Sequence, residues 1–305
     1  MNLGYLKSKG FILSLLIILI TVILSFVINS PYLTLSFLIS DIFIIMAVGW
    51  DFSSGTTNYI NFGISFFFGI GALFTGFFYY SFHLTIPLLI TQAFLISSFS
   101  GFLITIVTLK VRGVFFTLLS LLLPLIGTDF ILAFWTVLKM PTIGYYGLPS
   151  LSNSLQISLI YISIFLIVII TLIYALYSGH IGLILKGIGD DEEAMNAQGI
   201  NTFWYKVLIF SISMGIVGIA GSLYAFSTSF AGIDTFGLEF LLFPMIIAIF
   251  GGKGKILGSI PAGYIIIILS QYLQLYVGQL TLISFAAFAI ILFLFFPKGI
   301  SRWFS

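Results

Sequence analysis

Apolar stretches follow one another along this chain at 11–28, 34–50, 61–80, 85–109, 114–137, 156–177, 206–226, 239–250, 257–276 and 280–296, parted by short polar or Gly- and Pro-containing breaks. Most approach the ~20 residues that a helix needs to cross a bilayer. Lipid offers no water to satisfy backbone N–H and C=O groups, so such runs must be helices whose hydrogen bonds close within the segment. The pattern predicts an all-α, polytopic integral membrane bundle of about ten transmembrane helices, eight at the lower bound, as a single transmembrane domain over residues 1–305. The stretch at 239–250, only ~12 residues, is expected to be short, tilted or partly re-entrant.

Composition agrees, since 60% of residues are hydrophobic and 7% charged, against about 25% charged in soluble domains. The formal net charge of +2 comes from Lys and Arg placed singly or in pairs, which excludes a nucleic-acid partner. The absence of cysteine excludes disulfides, thiol catalysis and Cys-ligated metals. Lys7 and Lys9 precede the apolar run from Phe11 to Val27 in the manner of a signal peptide. No small-residue cleavage site follows, so an uncleaved first span is expected.

Basic residues set the orientation. With a cytoplasmic N-terminus and ten spans, Lys110 with Arg112, Lys186, Lys253 with Lys255, and Lys298 with Arg302 fall on the cytoplasmic side, while Lys139 lies outside and Lys206 at a helix start. That asymmetry predicts cytoplasmic N- and C-termini.

Small residues recur four apart at Ala72/Gly76, Gly218/Ser222, Gly221/Ala225, Gly254/Gly258 and Ser259/Gly263, a spacing that lets helices approach closely; plain bundle packing is the expected use. Pro87, Pro124, Pro244 and Pro261 fall within or near span ends, where freed carbonyls need protein or water to satisfy them.

No catalytic or metal-binding constellation is found. His83 and His180 fall on opposite sides of the predicted membrane and build neither a metal pair nor a nucleophile–base arrangement. The run Gly251-Gly252-Lys253-Gly254-Lys255 is no phosphate loop, because Ile249 and Ile256 occupy the places that require Gly and Ser or Thr. Asp41, Asp51 and Asp129 lie in or beside spans, where ionisable groups are costly and face a path or a partner. For Asp51, ahead of Ser53-Ser54-Gly55, an interfacial or capping role fits best; Asp129 fits the path or a helix partner equally.

The segment Gly179 to Asn201 carries four of the nine acidic residues consecutively, Asp190 to Glu193. It predicts a helix of about two turns, with the acids complementing the positive N-terminal dipole and Gly199 as left-handed C-terminal cap. Charge alone fits either a solvated connector, the commoner use of such a run, or a rigid knob seated in a partner.

The spacing Glu193-Ala194-Met195-x-x-x-Gly199 resembles the Glu-Ala-Ala-x-x-x-Gly signature of ABC importer permeases, with Met195 in place of the second Ala. The longer pattern from Gly182 through Leu185-Lys186, Asp190-Asp191-Glu192, Ala194 and Gly199-Ile200-Asn201 to Tyr205-Lys206 resembles the permease subunits of branched-chain amino acid ABC importers. The resemblance covers roughly residues 34 to 302 and includes Asn61-Phe62-Gly63 with Phe67 to Ala72, Arg112-Gly113-Val114, Ala220-Gly221, Gly251-Gly252 and Pro297-Lys298-Gly299. Three positions depart: Ile64 stands where His is usual, Asn58 where Gly is usual, and Leu125 where an acid is usual, with Asp129 one helical turn further on the same face. They bear on the substrate more than on the class.

The resemblance implies a permease subunit in the cytoplasmic membrane that moves branched-chain or related hydrophobic amino acids. It implies a cytoplasmic coupling loop at 179–205, with Asp190, Asp191, Glu192, Glu193, Ala194 and Gly199 contacting an ATPase, and a path that includes Asn61, Gly63, Gly69, Gly71 and Asp129. The implied partners are a paralogous second permease, two cytoplasmic ATP-binding subunits that hold ATP and Mg, an extracytoplasmic substrate-binding protein and membrane lipid. No cofactor is expected on this chain and no enzymatic activity of its own. Two alternatives stay open: the same architecture carrying urea, amides, sugars or nucleosides, and an ion-coupled secondary carrier. Carriers of that kind often show inverted repeats, and no clear repeat is found.

Overall fold

A computed structural model describes residues 8–111, 113–138 and 144–277. In chain order the helices are α1 (Lys9–Ile28), α2 (Pro31–Trp50), α3 (Ile64–Phe82), α4 (Ile86–Thr108), α5 (Val114–Leu138), α6 (Leu155–Ser178), α7 (His180–Asp190), α8 (Glu192–Ala197), α9 (Thr202–Thr228), α10 (Leu238–Gly252) and α11 (Ser259–Val277). Asp51–Gly55 continues α2 as a π-helix, and two three-residue strands, β1 (Gly144–Tyr146) and β2 (Phe230–Gly232), pair antiparallel. Among the described residues eight helical spans are long and apolar enough to cross a membrane. They coincide with eight of the expected stretches. The ninth, α10, has 15 residues and rises about 22 Å, short of the ~30 Å hydrocarbon core. The stretch at 280–296, Arg112, Lys139, Lys298 and Arg302 lie outside the described residues.

The chain divides into two compact units. One gathers 8–56, 152–183 and 242–277. Its centre is α2, where every residue from Ser40 to Trp50 is buried, as expected of a helix apolar on all sides. α1, α6 and α11 pack around it. Gly263 on α11 sits so close to Ile44 that a side chain there would overlap it, which realises the Ser259/Gly263 spacing as helix packing. One polar knot interrupts this apolar core: Ser163 donates to Asp41 Oδ2 at 2.6 Å, Tyr264 donates to Asp41 Oδ1, and Thr21 donates to the Tyr264 hydroxyl at 3.3 Å. Three helices thus meet at one buried carboxylate, and α1 joins them through the Tyr264 hydroxyl.

The other unit comprises the described part of 57–151 together with 184–241. Here α9 is central, packed along α3 and α4. The backbones nearly touch: an added Cβ on Gly71 would run into Gly218, and one on Gly221 into the Phe68 carbonyl. Such approach replaces a hydrophobic drive that lipid does not supply. Beyond α9, Phe240 stacks on Phe68 with ring centroids 4.6 Å apart, and the β1–β2 ribbon lays Tyr145 against Gly76 of α3.

Candidate functional site

The segment that leaves α6 folds as two helices where the sequence predicts one. α7 runs for 11 residues, burying Ile184, Leu185 and Ile188 and exposing Leu183, Lys186 and Asp190, the spacing of an amphipathic helix. Its three glycines, Gly182, Gly187 and Gly189, lower helix propensity and hide it from a reading by propensity. Gly182 is needed for space, since a side chain there would strike the Tyr177 carbonyl.

Asp191 breaks the helix. It caps α8 by accepting from the Ala194 backbone N–H at 3.0 Å, as Asp does at N-cap positions. Asp190 therefore ends α7 and does not open the second helix, a correction to the expectation that all four acids share one N-terminus. Gly199 has φ of +82° and fills the left-handed position at the C-terminal end. Asn201 then caps α9 through the Trp204 N–H at 3.4 Å. Met195 rests against Gly187, where a Cβ would lie 2.6 Å from its sulfur. The departure from Ala thus locks α8 onto α7.

The acidic run separates by direction. Asp190, Asp191, Glu193 and Ala194 are exposed, and no residue of α8 is buried. Glu192 turns inward, accepting from Lys206 Nζ at 2.6 Å, from the Tyr59 hydroxyl at 2.6 Å and from Thr202 Oγ1 at 2.9 Å. Lys206 is itself buried and lies 4.1 Å from the Tyr59 ring centroid, a cation–π distance. Burial raises the Glu192 pKa, but the hydrogen bonds from Lys206 and Tyr59, the Lys206 charge and the Thr202 hydrogen bond more than offset it, so the carboxyl titrates below the usual glutamate range. One residue away, Asn58, with φ of 60°, donates to the Gly189 carbonyl at 2.7 Å. Between these contacts opens a cleft of about 430 Å3, lined by Asn58, Tyr59, Gly113, Thr117, Asp190 and Glu192. Tyr59 and Thr202 carry no motif that marks them; Lys206 closes the pattern that runs from Gly182, with nothing there to point to Glu192, and Asn58 stands out as a departure from Gly.

The residues expected along a path are placed differently from one another. Asn61 is buried and accepts from the Gly63 N–H at 2.7 Å, an Asx turn that starts α3. Gly63 faces Leu123 and the Ser120 carbonyl, Gly69 faces the Phe236 ring, and Gly71 faces Gly218. Asp129 is exposed on α5, beside exposed Leu125, Ile126 and Phe130. These five do not meet at one point. Asp51, in the first unit, is buried and accepts from the Gly254 N–H at 2.7 Å, and Tyr177 donates to the Gly254 carbonyl at 2.6 Å. It serves as a cap, for a loop distant in sequence. Among the described residues no group of His, Cys, Asp and Glu is arranged to hold a metal.

Comparison with known proteins gives a consistent answer. Residues 32–296 match the family model of the permease component of branched-chain amino acid transport systems. The high-affinity branched-chain amino acid transport system permease protein LivM of Salmonella typhimurium is 23% identical over 96% of this chain and 75% of its own length. Its Escherichia coli counterpart is 22% identical over the same shares, 96% and 75%. A nucleoside ABC transporter permease protein of Lactococcus lactis, NupC, is 28% identical over 36% of this chain and 38% of its own. No solved structure matches the chain.

Proposed function

The chain belongs to the family of branched-chain amino acid transport system permease components, and from that premise we propose that it carries branched-chain or related hydrophobic amino acids inward as one permease of an ABC importer. It is a multi-pass integral membrane protein of the cell membrane. Its partners on this reading are a paralogous permease, two cytoplasmic ATPases and an extracytoplasmic binding protein that selects the cargo. The N- and C-termini and the loop of α7 and α8 lie on the cytoplasmic side. Asp190, Asp191, Glu193, Ala194 and Gly199 contribute the surface that seats in an ATPase, with Glu192 behind it. Asn61, Gly63, Gly69 and Gly71 shape the α3 side of the path, and Asp129 faces the path or a partner from α5.

The observation that carries this reading is the build of α8: a six-residue helix with an exposed acidic and small-residue face, pinned from behind by the Glu192 network. A projecting helix transmits force only if its base is fixed, and here the base is fixed by charge-assisted hydrogen bonds. The ATPases close on binding ATP, α8 is displaced, and the permease alternates its access.

The test is reconstitution. The purified chain, its paralogue, the ATPases and the binding protein are placed in vesicles, and uptake of labelled leucine is followed with and without ATP. ATP-dependent uptake that needs the binding protein supports the reading; uptake driven by an ion gradient without ATP would overturn it. The shorter similarity to a nucleoside permease gives a second cargo to test, and a ligand screen on the binding protein decides between an amino acid and a nucleoside. Replacing Glu193 and Gly199 together is expected to weaken retention of the ATPases, read by co-purification.

A further inference from the structure

The loop that bears α8 is tied to a segment far from it in sequence, and the tie has a direction. Glu192 receives the Tyr59 hydroxyl across 133 positions, and the Gly189 carbonyl receives the Asn58 amide across 131. These two bonds grip residues 58 and 59 from both sides of Asp191, where α7 gives way to α8. The gripped segment leads straight into Asn61 and Gly63, whose Asx turn starts α3. The Phe62 N–H is held in turn by Ser120 Oγ of α5 at 2.9 Å.

The cleft of about 430 Å3 lies on the same side, between this segment and the first turn of α5 at Gly113 and Thr117. The two bonds mean that a displaced α8 draws 58–63 with it; α5 braces the far side of the segment, where Phe116 meets the Tyr59 ring edge-on with centroids 5.5 Å apart. Tyr59 is suited to the task. Its hydroxyl holds the carboxylate while its ring holds the Lys206 cation, so the ion pair and the segment move together.

We propose that Tyr59 is a positioning residue of transport, the link through which displacement of α8 reaches the start of α3. The proposal rests on the importer reading above. It makes the Glu192–Tyr59 bond the step between ATP-driven movement and the path, and it assigns the inward acid of the run a task distinct from that of its exposed neighbours.

Two measurements test it. In the reconstituted importer, the ratio of leucine transported to ATP hydrolysed is compared for wild type, Tyr59→Phe, Tyr59→Leu and Glu192→Gln. Loss of one hydrogen bond to a charged group is expected to lower the ratio in Tyr59→Phe by roughly tenfold, with ATPase retention unchanged in that variant; Glu192→Gln, which keeps an acceptor for the hydroxyl but loses the charge, is expected to lower it as well. Tyr59→Leu, which also loses the ring, is expected to lower it further. Tyr59→Phe placed on Glu192→Gln is expected to cost less than it does alone, because Gln has already removed the charge that strengthens the bond. A merely structural role would lower uptake and hydrolysis together and leave the ratio where it was; that result, or additive losses, would overturn the proposal.

The second measurement needs no partner. Hydrogen exchange on the purified chain in detergent is expected to quicken at both 58–63 and 189–197 in Tyr59→Phe. Quickening at one segment alone, or at neither, would overturn the link. Failure of the wild-type chain to retain any ATPase would count against the importer reading, and hydrogen exchange would still decide whether the two segments are joined.

Discussion

Glu192 shows how one side chain in a run of four acids is singled out. Its carboxyl is held below the usual glutamate range by Lys206, Tyr59 and Thr202 against the opposing effect of burial. The sign follows from linkage: a depressed folded pKa gives stability that is fully present above the unfolded value and lost as pH falls through the folded one. Protection of the loop amides is therefore expected to be full at neutral pH, to start falling as pH enters the ordinary glutamate range and to be lost below it, read by hydrogen exchange or by the fluorescence of exposed Trp204. In Glu192→Gln that acid transition is expected to vanish. Lys206→Met removes a buried cation but leaves the carboxylate without its strongest donor, at a cost of about 1.5–3 kcal/mol, read as a lower thermal midpoint of the purified chain. None of this was visible in the sequence, because Tyr59 lies 133 positions from its partner and an aromatic residue beside a span is unremarkable in a chain with 15 tyrosines.

At the scale of elements, glycines divide into those that allow a backbone angle and those that allow an approach. Gly199 is of the first kind, with φ of +82° and open space around it, so Gly199→Ala is expected to cost about 1 kcal/mol and to disturb the loop alone. Gly71 is of the second kind, and Gly71→Leu must force α3 from α9, with loss of the folded chain in size-exclusion profiles. The Asp41 knot makes a similar distinction among α1, α2, α6 and α11. Asp41→Asn keeps an acceptor for Ser163 or Tyr264, whereas Asp41→Leu strands two buried hydroxyls at about 1–3 kcal/mol each. Thermal unfolding of the two variants is expected to rank Asn well above Leu. The spans were legible because hydropathy over ~20 residues answers to the bilayer alone. α7 was not, since its amphipathic pattern spans only 11 residues and is diluted by glycine.

Taken whole, the molecule joins two kinds of information that the sequence carries unequally. Family membership and membrane architecture are written in long, redundant signals, the apolar stretches and the motif around Glu193. Cargo is not, since lipid-facing and path-facing surfaces call on the same Phe, Leu and Ile. The expected outcome for the complete importer is accordingly asymmetric: variants of the exposed face of α8 change ATPase retention and leave the ligand preference of the binding protein unaltered, as measured by ligand competition.

The glycine contacts of α3 with α9 have a mechanical consequence. Because Gly71 and Gly221 bring backbone against backbone, no flexible side chain absorbs a displacement at these two contacts, and the pair is expected to tilt as one lever. α9 has 27 residues and so extends about 40 Å. A rotation of about 5° at the Thr202 end, beside α8, sweeps the Thr228 end through roughly 3.5 Å, more than the diameter of a water molecule. A nudge too small to break any bond in the loop of α7 and α8 would thereby be enlarged, at the far end of the helix, to more than the width of a water molecule.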